Sequence, residues 1–556
     1  MIEVTIKKSI KNVYDDKSGF VSFEYDPDIV DVMRSLPMRW YHPNTREWEV
    51  SEDAISILSD KLPNEPITIK GRVSHTKVQI PQSYTFVTTP YKHQLEGIEY
   101  GLSHDRWLLG DEQGLGKTKQ VIDLACIYKQ QNKYKHCIII CGVNGLKYNW
   151  AKEIEAHSVE DYWFLGQRFK NGVQKIQGNV EKLEDLRKIN DIRAYFILTN
   201  IESLRSHEIA LELKNLCDSG MIEMIAVDEI HKCCNPTSQQ SKGLLALSAK
   251  TMIAMTGTPL MNKPLDLYLP LKWLGYEQHN YYMFKQHYAN YGGFGGYQIV
   301  GYKNMDELQT KLNKIMLRRK KTDVLDLPDK IYTNVYTEMG DAQNKLYNDV
   351  LETIKADIDK IILSPNPLSQ LIRLRQVTGY PGIISSTVTE SAKMDTLIEL
   401  VSDSIDNGHK VIIYSNWAQM TLPIYNRIAV RYCGAYITGE VDTDQRQQHV
   451  KKFQEDDNCK FIVGTIGAMG TGLTLTAADT VIFMDEPWTK AAYDQAVDRC
   501  HRIGTKNTIN IYNIITKDTI DERIHEILYR KSVMSDALVD GSITGDKLQM
   551  LNYLIS

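Results

Sequence analysis

The chain has 556 residues, of which 42% are hydrophobic and 24% charged, with a formal net charge of −5. That is an ordinary balance for a globular protein too long for one core, and about three or four domains are expected. No apolar run reaches the ~20 residues a membrane helix needs, and the mild acidity leaves no whole-chain basic signature, so a polyanion must meet a local cleft.

The start, Met1-Ile-Glu-Val-Thr-Ile, alternates like a strand and lacks the apolar core of a signal peptide. The nine cysteines are scattered without a Cys-x-x-Cys pair, which argues against a disulfide scaffold or a zinc module. A cytoplasmic, unsecreted protein with no membrane partner is expected.

Residues 1–80 read as a small α+β module. Gly19–Tyr25 alternates as a strand. Asp26 is placed to cap a helix running to Leu36, with Pro27 in its first turn. Met38–His42 and Arg46–Val50 flank Pro43-Asn-Thr45 as a hairpin. Ser51–Leu58 starts a second helix, and Pro63, Pro66 and Gly71 predict a linker or turns. Arg39, Trp40, Tyr41 and Arg46 set cations beside aromatics, groups that stack on an unpaired base while holding its phosphate. A small two-layer sheet also needs tryptophans such as Trp40 and Trp48 for its own core.

Residues 81–275 alternate strand and helix. Trp107–Gly110, His136–Gly142, Ala194–Thr199, Met224–Asp228 and Thr251–Thr256 are apolar runs of buried-strand length. This βαβ rhythm predicts a parallel sheet with helices on both faces. Residues 276–378 break it: Tyr291–Tyr297 reads as a loop, Met305–Ile315 and Asp341–Ile362 as helices, and Pro365 and Pro367 end the second. A helical insertion is expected there. Residues 379–556 return to alternation, with strands at Lys410–Tyr414, Lys460–Val463 and Thr480–Met484. The fold class is α/β: two parallel-sheet lobes, an insertion between them, and a small α+β N-terminal domain.

The chemistry concentrates at Asp111-Glu-Gln-Gly-Leu-Gly-Lys-Thr118, between an apolar strand and a helical pattern at Val121–Ala125. Strand, glycine turn and helix are the context a P-loop needs. Gly114 and Gly116 let backbone N–H groups close on a polyphosphate at the positive end of the helix. Lys117 reaches the β- and γ-phosphates, and the Thr118 hydroxyl can ligate Mg²⁺. Asp111 stands where the general pattern has glycine, and a chance glycine turn is the plain alternative.

Asp228 ends the fourth apolar run of this unit and Glu229 follows it. A strand-end Asp beside a P-loop can hold Mg²⁺, and the next carboxylate can polarise the attacking water. Thr256-Gly-Thr-Pro259 ends the next strand, where small hydroxyls can sense phosphate. In the second unit Arg499 and Arg502, three apart, are expected to share a helix face and act as fingers on the γ-phosphate. Taken alone, that pair reads better as a solvated basic face, and only the order of all the elements turns the reading toward fingers.

The order of these elements resembles the Snf2 family of superfamily 2 helicase-like ATPases, from about residue 90 to 530. Tyr91-Lys-His-Gln94 is similar to the adenine-reading Q motif. Asp111–Thr118 resembles motif I, whose family pattern also carries Asp at that position. Asn144–Trp150, Thr199–Leu204, Asp228–His231 and Thr256–Pro259 resemble motifs Ia, Ib, II and III. Met316-Leu-Arg-Arg-Lys-Lys-Thr-Asp-Val324 with Leu327-Pro328 resembles a segment particular to Snf2 proteins. Tyr414–Trp417, Gly464–Leu475 and Gln495–Gly504 resemble motifs IV, V and VI. Two departures stand out: Asp485-Glu-Pro-Trp-Thr-Lys490 replaces Asp-Pro-Trp-Trp-Asn-Pro, and Thr505 replaces Gln. Phe20–Tyr25, Leu36–Trp40 and Arg46–Trp48 resemble the small domain before the motor of annealing-helicase-like proteins.

The resemblance implies two RecA-like lobes and a DNA-stimulated ATPase that moves on double-stranded DNA, including forked or branched DNA, as a monomer. It implies ATP and Mg²⁺ at Gln94, Asp111, Gly114, Gly116, Lys117, Thr118 and Gly472, with Thr118 and Asp228 on the metal. Lys117, Asp228, Glu229, Arg499 and Arg502 are the implied catalytic set. Lys147, Thr199, Asn416, Thr471 and Trp488 are the implied DNA contacts. Three other readings use the same motifs: a P-loop kinase, a strand-separating helicase and an ATP-gated DNA clamp. The kinase does not need a second unit with two arginines. The helicase needs a strand-splitting pin, and the clamp a damaged motif I, II or VI.

Overall fold

The computed structural model describes residues 2–528 apart from 11–16, 37–38, 51–53, 56–57, 59–60, 63–64, 71–78, 143–144, 171–172, 177, 258–263, 293–297, 326, 357–368, 470–472, 506 and 527. Among the expected features, Met38, much of 51–58, Pro63, Gly71, 293–297, the end of the 341–362 helix, Pro365 and Pro367 fall outside the described residues.

The N-terminal module is a five-stranded sheet. Its elements are β1 (Ile2–Lys8), β2 (Lys17–Ser22), helix α1 (Pro27–Ser35), β3 (Arg39–His42), β4 (Glu47–Val50) and β5 (Ile67–Lys70), with strand order β3-β4-β2-β1-β5. Asp26 caps α1 as its spacing predicts, accepting from the N–H groups of Asp28 and Ile29 at 2.8 and 3.3 Å. One expectation is corrected. The stretch assigned to a linker contains β5, which runs parallel to β1 with Val4 opposite Ile69. Four residues give too little alternation to announce a strand whose partner lies some sixty positions earlier.

In the hairpin Arg39 faces Val50 and Tyr41 faces Trp48. Side chains alternate along a strand, so Arg39 and Tyr41 share one face and Trp40 lies on the other. The cationic and aromatic groups expected to act together are divided between two faces. Trp48 packs against a core of Ile2, Val4, Val21, Ile29 and Met33.

The first lobe begins with α2 (Lys92–Ser103), β6 (Arg106–Leu109), α3 (Lys117–Asn132), β7 (His136–Cys141), α4 (Leu146–His157) and β8 (Tyr162–Phe164). A hairpin β9/β10 (Gln167–Lys170, Val173–Ile176) and strands β11 (Phe196–Asn200), β12 (Ile222–Asp228) and β13 (Thr251–Met255) follow. Its seven strands are ordered β16-β6-β13-β12-β7-β11-β8, where β16 is Met316–Leu317, and neighbours run parallel. The unbroken apolar runs have a simple cause. Ile138 and Ile140 enter the core on one face and Ile139 and Cys141 the core on the other, so every position is buried.

Residues 276–378 are not helical throughout, which corrects the expected insertion. They hold helices α5 (Met305–Ile315) and α6 (Asp341–Ala356) and a hairpin β14/β15 (Ala289–Gly292, Gln298–Tyr302). They also supply β16 to the first lobe and β17 (Lys330–Thr337) to the second. β16 has two residues and β17 is mostly exposed, so neither shows the apolar run that announces a buried strand.

The second lobe is a six-stranded parallel sheet, order β17-β22-β21-β18-β20-β19. Its remaining strands are β18 (Val411–Ser415), β19 (Cys433–Ile437), β20 (Cys459–Thr465), β21 (Thr480–Phe483) and β22 (Ile509–Thr516), with helix α7 (Lys490–Val497) before β22. Ile412 and Ile413 again enter separate cores on the two faces.

Candidate nucleotide site between the lobes

The P-loop joins β6 to α3, and motif II ends β12, two strands away in the same sheet. Both therefore open at the carboxyl ends of parallel strands, where α/β sheets hold ligands. Gly114 and Gly116 adopt φ of 88° and 73°, in the left-handed region that glycine occupies without strain. Lys117 opens α3 with Thr118 behind it. The Lys117 ammonium donates to the Asp111 carbonyl at 2.7 Å and the Glu112 carbonyl at 3.3 Å, and burial lowers its pKa against the pull of Glu229, Asp111 and Asp228.

Motif II is built on a tight approach of two backbones. Gly142 N–H donates to the Asp228 carbonyl at 2.8 Å, and a Cβ on Gly142 would lie 2.7 Å from the Glu229 carbonyl. Glu229 takes a left-handed φ of 52°, which lets its N–H donate to Asp228 Oδ1 at 2.9 Å. The indole N–H of Trp150, on α4, donates to the other oxygen, Asp228 Oδ2, at 2.9 Å. Burial raises the Asp228 carboxyl to about 6, Glu229 adds repulsion, and Trp150 and Lys117 oppose the rise. Burial also opposes ionisation of Glu229, but His231 at 3.1 Å, with Lys117 and Arg499, holds that carboxyl below its ordinary value. His231 Nδ1 lies 3.1 Å from Thr256 Oγ1, tying motif II to motif III. Thr258 and Pro259 lie outside the described residues.

The second lobe closes on this site. Arg499 Nη2 donates to Gln113 Oε1 in the P-loop at 3.0 Å, and the same guanidinium donates to the Gln495 carbonyl at 3.1 Å. Arg502 donates to the Asp498 carbonyl at 2.8 Å and Thr474 Oγ1 at 3.2 Å. Its Cγ lies 3.1 Å from where a Gly114 Cβ would stand. Burial lowers both guanidinium pKa values, Arg502 to about 9 with Arg499 contributing repulsion. The arginines do not share a helix face as expected. α7 ends at Val497, and both sit in the turn beyond it. Thr505, where the family pattern has Gln, accepts from Arg502 N–H at 3.0 Å and so pins that turn.

The segment between the lobes bonds to both. Arg319 pairs with the Asp111 carboxylate, with Nε to Oδ1 at 3.0 Å, and Gln120 donates to the same group at 3.0 Å. Lys321 N–H donates to Glu112 at 2.8 Å, while its ammonium meets Asp498 at 2.8 Å and the His501 carbonyl at 2.9 Å. Lys330 meets Asp498 at 3.0 Å. Sequence reasoning assigned no role to Gln113, Trp150, Arg319, Lys321 or Asp498. The signal for Arg319 and Lys321 was their place in the Snf2-like segment.

The residues present fit a nucleotide polyphosphate. Lys117, Arg499 and Arg502 are three cations whose burial lowers their pKa, and an anion among them relieves that penalty. The amide nitrogen of Gln113 is buried without a partner among the described residues, leaving a donor for a phosphate oxygen.

Several of the residues expected at nucleotide or DNA have protein partners in this structure. The Asp111 carboxylate is held by Arg319 and Gln120, and its carbonyl faces Lys117. The Gln94 amide is committed to the Tyr91 N–H at 3.0 Å and the Leu115 carbonyl at 3.4 Å, against the P-loop. Thr199 is 2% exposed and donates to Ser203 at 3.0 Å. Lys147 is 4% exposed, and burial with repulsion from Lys182 lowers it to about 8. Asn416 donates to the Glu486 carbonyl at 2.8 Å. Packing draws these side chains inward, which spacing does not report. Trp488 remains 37% exposed, its ring 4.4 Å from the Arg375 guanidinium. Asn144, Thr471 and Gly472 lie outside the described residues.

Residues 93–383 match the SNF2-related domain, and residues 392–504 match the helicase conserved C-terminal domain. The chain belongs to the SNF2-related family. As the resemblance implied, it carries an SNF2-related domain followed by a helicase conserved C-terminal domain. A SWI/SNF-related matrix-associated actin-dependent regulator of chromatin subfamily A-like protein 1 homolog of Caenorhabditis elegans is 25% identical, covering 98% of this chain and 78% of that protein. An uncharacterized ATP-dependent helicase of Mycoplasma pneumoniae is 27% identical over 84% of the SNF2-related chain. A DNA annealing helicase and endonuclease of Mus musculus is 26% identical over 86% of it. The chain spans 44% of the Mycoplasma protein and 43% of the mouse protein.

Proposed function

We propose that this SNF2-related ATPase is a translocase on double-stranded DNA that couples closure of its two lobes to ATP hydrolysis with Mg²⁺. The observation that carries the reading is Arg499, which crosses the cleft to touch the P-loop at Gln113. An arginine supplied by the far lobe makes the active site complete only when the lobes are together, the arrangement that lets hydrolysis drive movement.

In this reading Lys117 and the P-loop N–H groups hold the β- and γ-phosphates. Thr118 and Asp228 would hold Mg²⁺, which would neutralise phosphate charge when bound. Glu229, held ionised by its cationic neighbours, orients the attacking water and takes its proton. Arg499 and Arg502 stabilise charge on the transferring phosphoryl group. DNA would lie across both lobes, held by sequence-independent contacts to phosphate. Relatives named for chromatin regulation and DNA annealing favour DNA as the polymer.

The test is ATPase rate with no DNA and with single-stranded, duplex and forked DNA, beside triplex displacement and blunt-duplex unwinding. Duplex stimulation with displacement and without unwinding is expected. Efficient unwinding of long duplexes would replace the translocase with a strand-separating helicase.

A further inference from the structure

Trp150 occupies a position in α4 that the nucleotide chemistry described above does not use. Its ring is 1% exposed. A buried indole N–H usually finds an acceptor, and a main-chain carbonyl suffices: Trp273 donates to the Leu247 carbonyl at 3.1 Å, while the buried indole N–H groups of Trp107 and Trp417 have no partner among the described residues. Trp150 donates instead to Asp228 Oδ2 at 2.9 Å, while Glu229 N–H holds Oδ1. The carboxylate plane of Asp228 is thereby fixed from two sides. One donor comes from its own strand end and the other from a helix in a different βαβ unit. A carboxylate so held has one lone pair on each oxygen left to aim into the cleft.

We infer that Trp150 is a positioning residue for the metal-holding carboxylate: its N–H···Oδ2 bond sets the orientation in which Asp228 meets Mg²⁺. The inference rests on the reading that Asp228 holds Mg²⁺. A shift of α4 therefore reaches Asp228 through this single hydrogen bond. Partners that orient metal-ligating groups typically change metal affinity about 10- to 100-fold when removed.

Trp150→Phe keeps most of the ring and deletes the donor. The measurement is equilibrium binding of a fluorescent ATP analogue to the full chain, titrated with Mg²⁺ and repeated in EDTA. The midpoint for Mg²⁺ should rise at least about tenfold, with affinity in EDTA unchanged. An unchanged midpoint, or an equal loss of affinity in EDTA, would overturn the inference. A wild-type protein whose binding ignores Mg²⁺ would overturn the underlying metal reading instead, and the inference with it. An indole-¹⁵N label in the wild-type protein gives a second measure that needs no variant at 150. The Trp150 indole proton should shift when Mg²⁺ is added to the ATP complex, and a stationary resonance counts against the bond acting on the metal.

Discussion

Gln113 and Arg499, 386 positions apart, are joined by one hydrogen bond of 3.0 Å between the P-loop and the turn after α7. The guanidinium is 3% exposed and is steadied from behind by the Gln495 and Leu473 carbonyls at 3.1 and 3.4 Å. The cleft is thus bridged by the residue that the proposed function places on the γ-phosphate. Arg499→Ala should lower DNA-stimulated kcat by about 10³ or more, with a smaller change in KM for ATP. Steady-state kinetics at saturating DNA checks this, and a normal stimulated rate would reduce Arg499 to a structural contact.

Glu229→Gln should bind ATP as the wild type does and lose turnover, because in the proposed function the carboxylate acts on water rather than on phosphate. Lys117→Ala should weaken both. Nucleotide affinity and single-turnover rate, measured separately, distinguish the two, and wild-type hydrolysis by Glu229→Gln removes that residue from the chemistry.

Gly142→Ala places a Cβ 2.7 Å from the Glu229 carbonyl and 2.8 Å from that of Asp228. Both neighbours are backbone, so motif II must shift. A misplacement on the order of 1 Å lowers rate about 10²-fold, and kcat should fall on that scale while the chain remains folded by circular dichroism.

Asp498 is 4% exposed and faces Lys321 and Lys330 at 2.8 and 3.0 Å. Together they hold its carboxyl below the usual range against the opposing effect of burial. Asp498→Asn leaves two lysine charges without that partner. Breaking a buried pair is destabilising by about 3–5 kcal/mol, so denaturant unfolding of the second lobe should move to lower midpoint by that scale. An unmoved midpoint would mean that the two lysines find other partners.

Removing residues 1–75 deletes the five-stranded N-terminal sheet. Duplex-stimulated ATPase should persist, and any excess stimulation by forked over duplex DNA should disappear. Retention of that excess would move fork preference into the two lobes, and an insoluble product would make the module part of their core.

The sequence by itself determined the strand-turn-helix at Asp111–Thr118, the alternation of both lobes and the α1 cap, because these depend on neighbours within a few residues. Periodicity and turn chemistry are local, and the apolar runs of the parallel strands declare double-sided burial. Tertiary structure decided what local pattern cannot carry. Asp111 reads as a phosphate-loop residue until Arg319, 208 positions later, occupies its carboxylate. Thr199 and Asn416 are implied DNA contacts in the sequence, and packing turns them to Ser203 and the Glu486 carbonyl. β5, β16 and β17 are too short or too exposed to announce themselves, and they exist because a distant strand edge supplies their hydrogen bonds. The bond from Trp150 to Asp228 has the same origin: two residues 78 positions apart meet only when the sheet pairs β12 with β7, the strand that leads into α4.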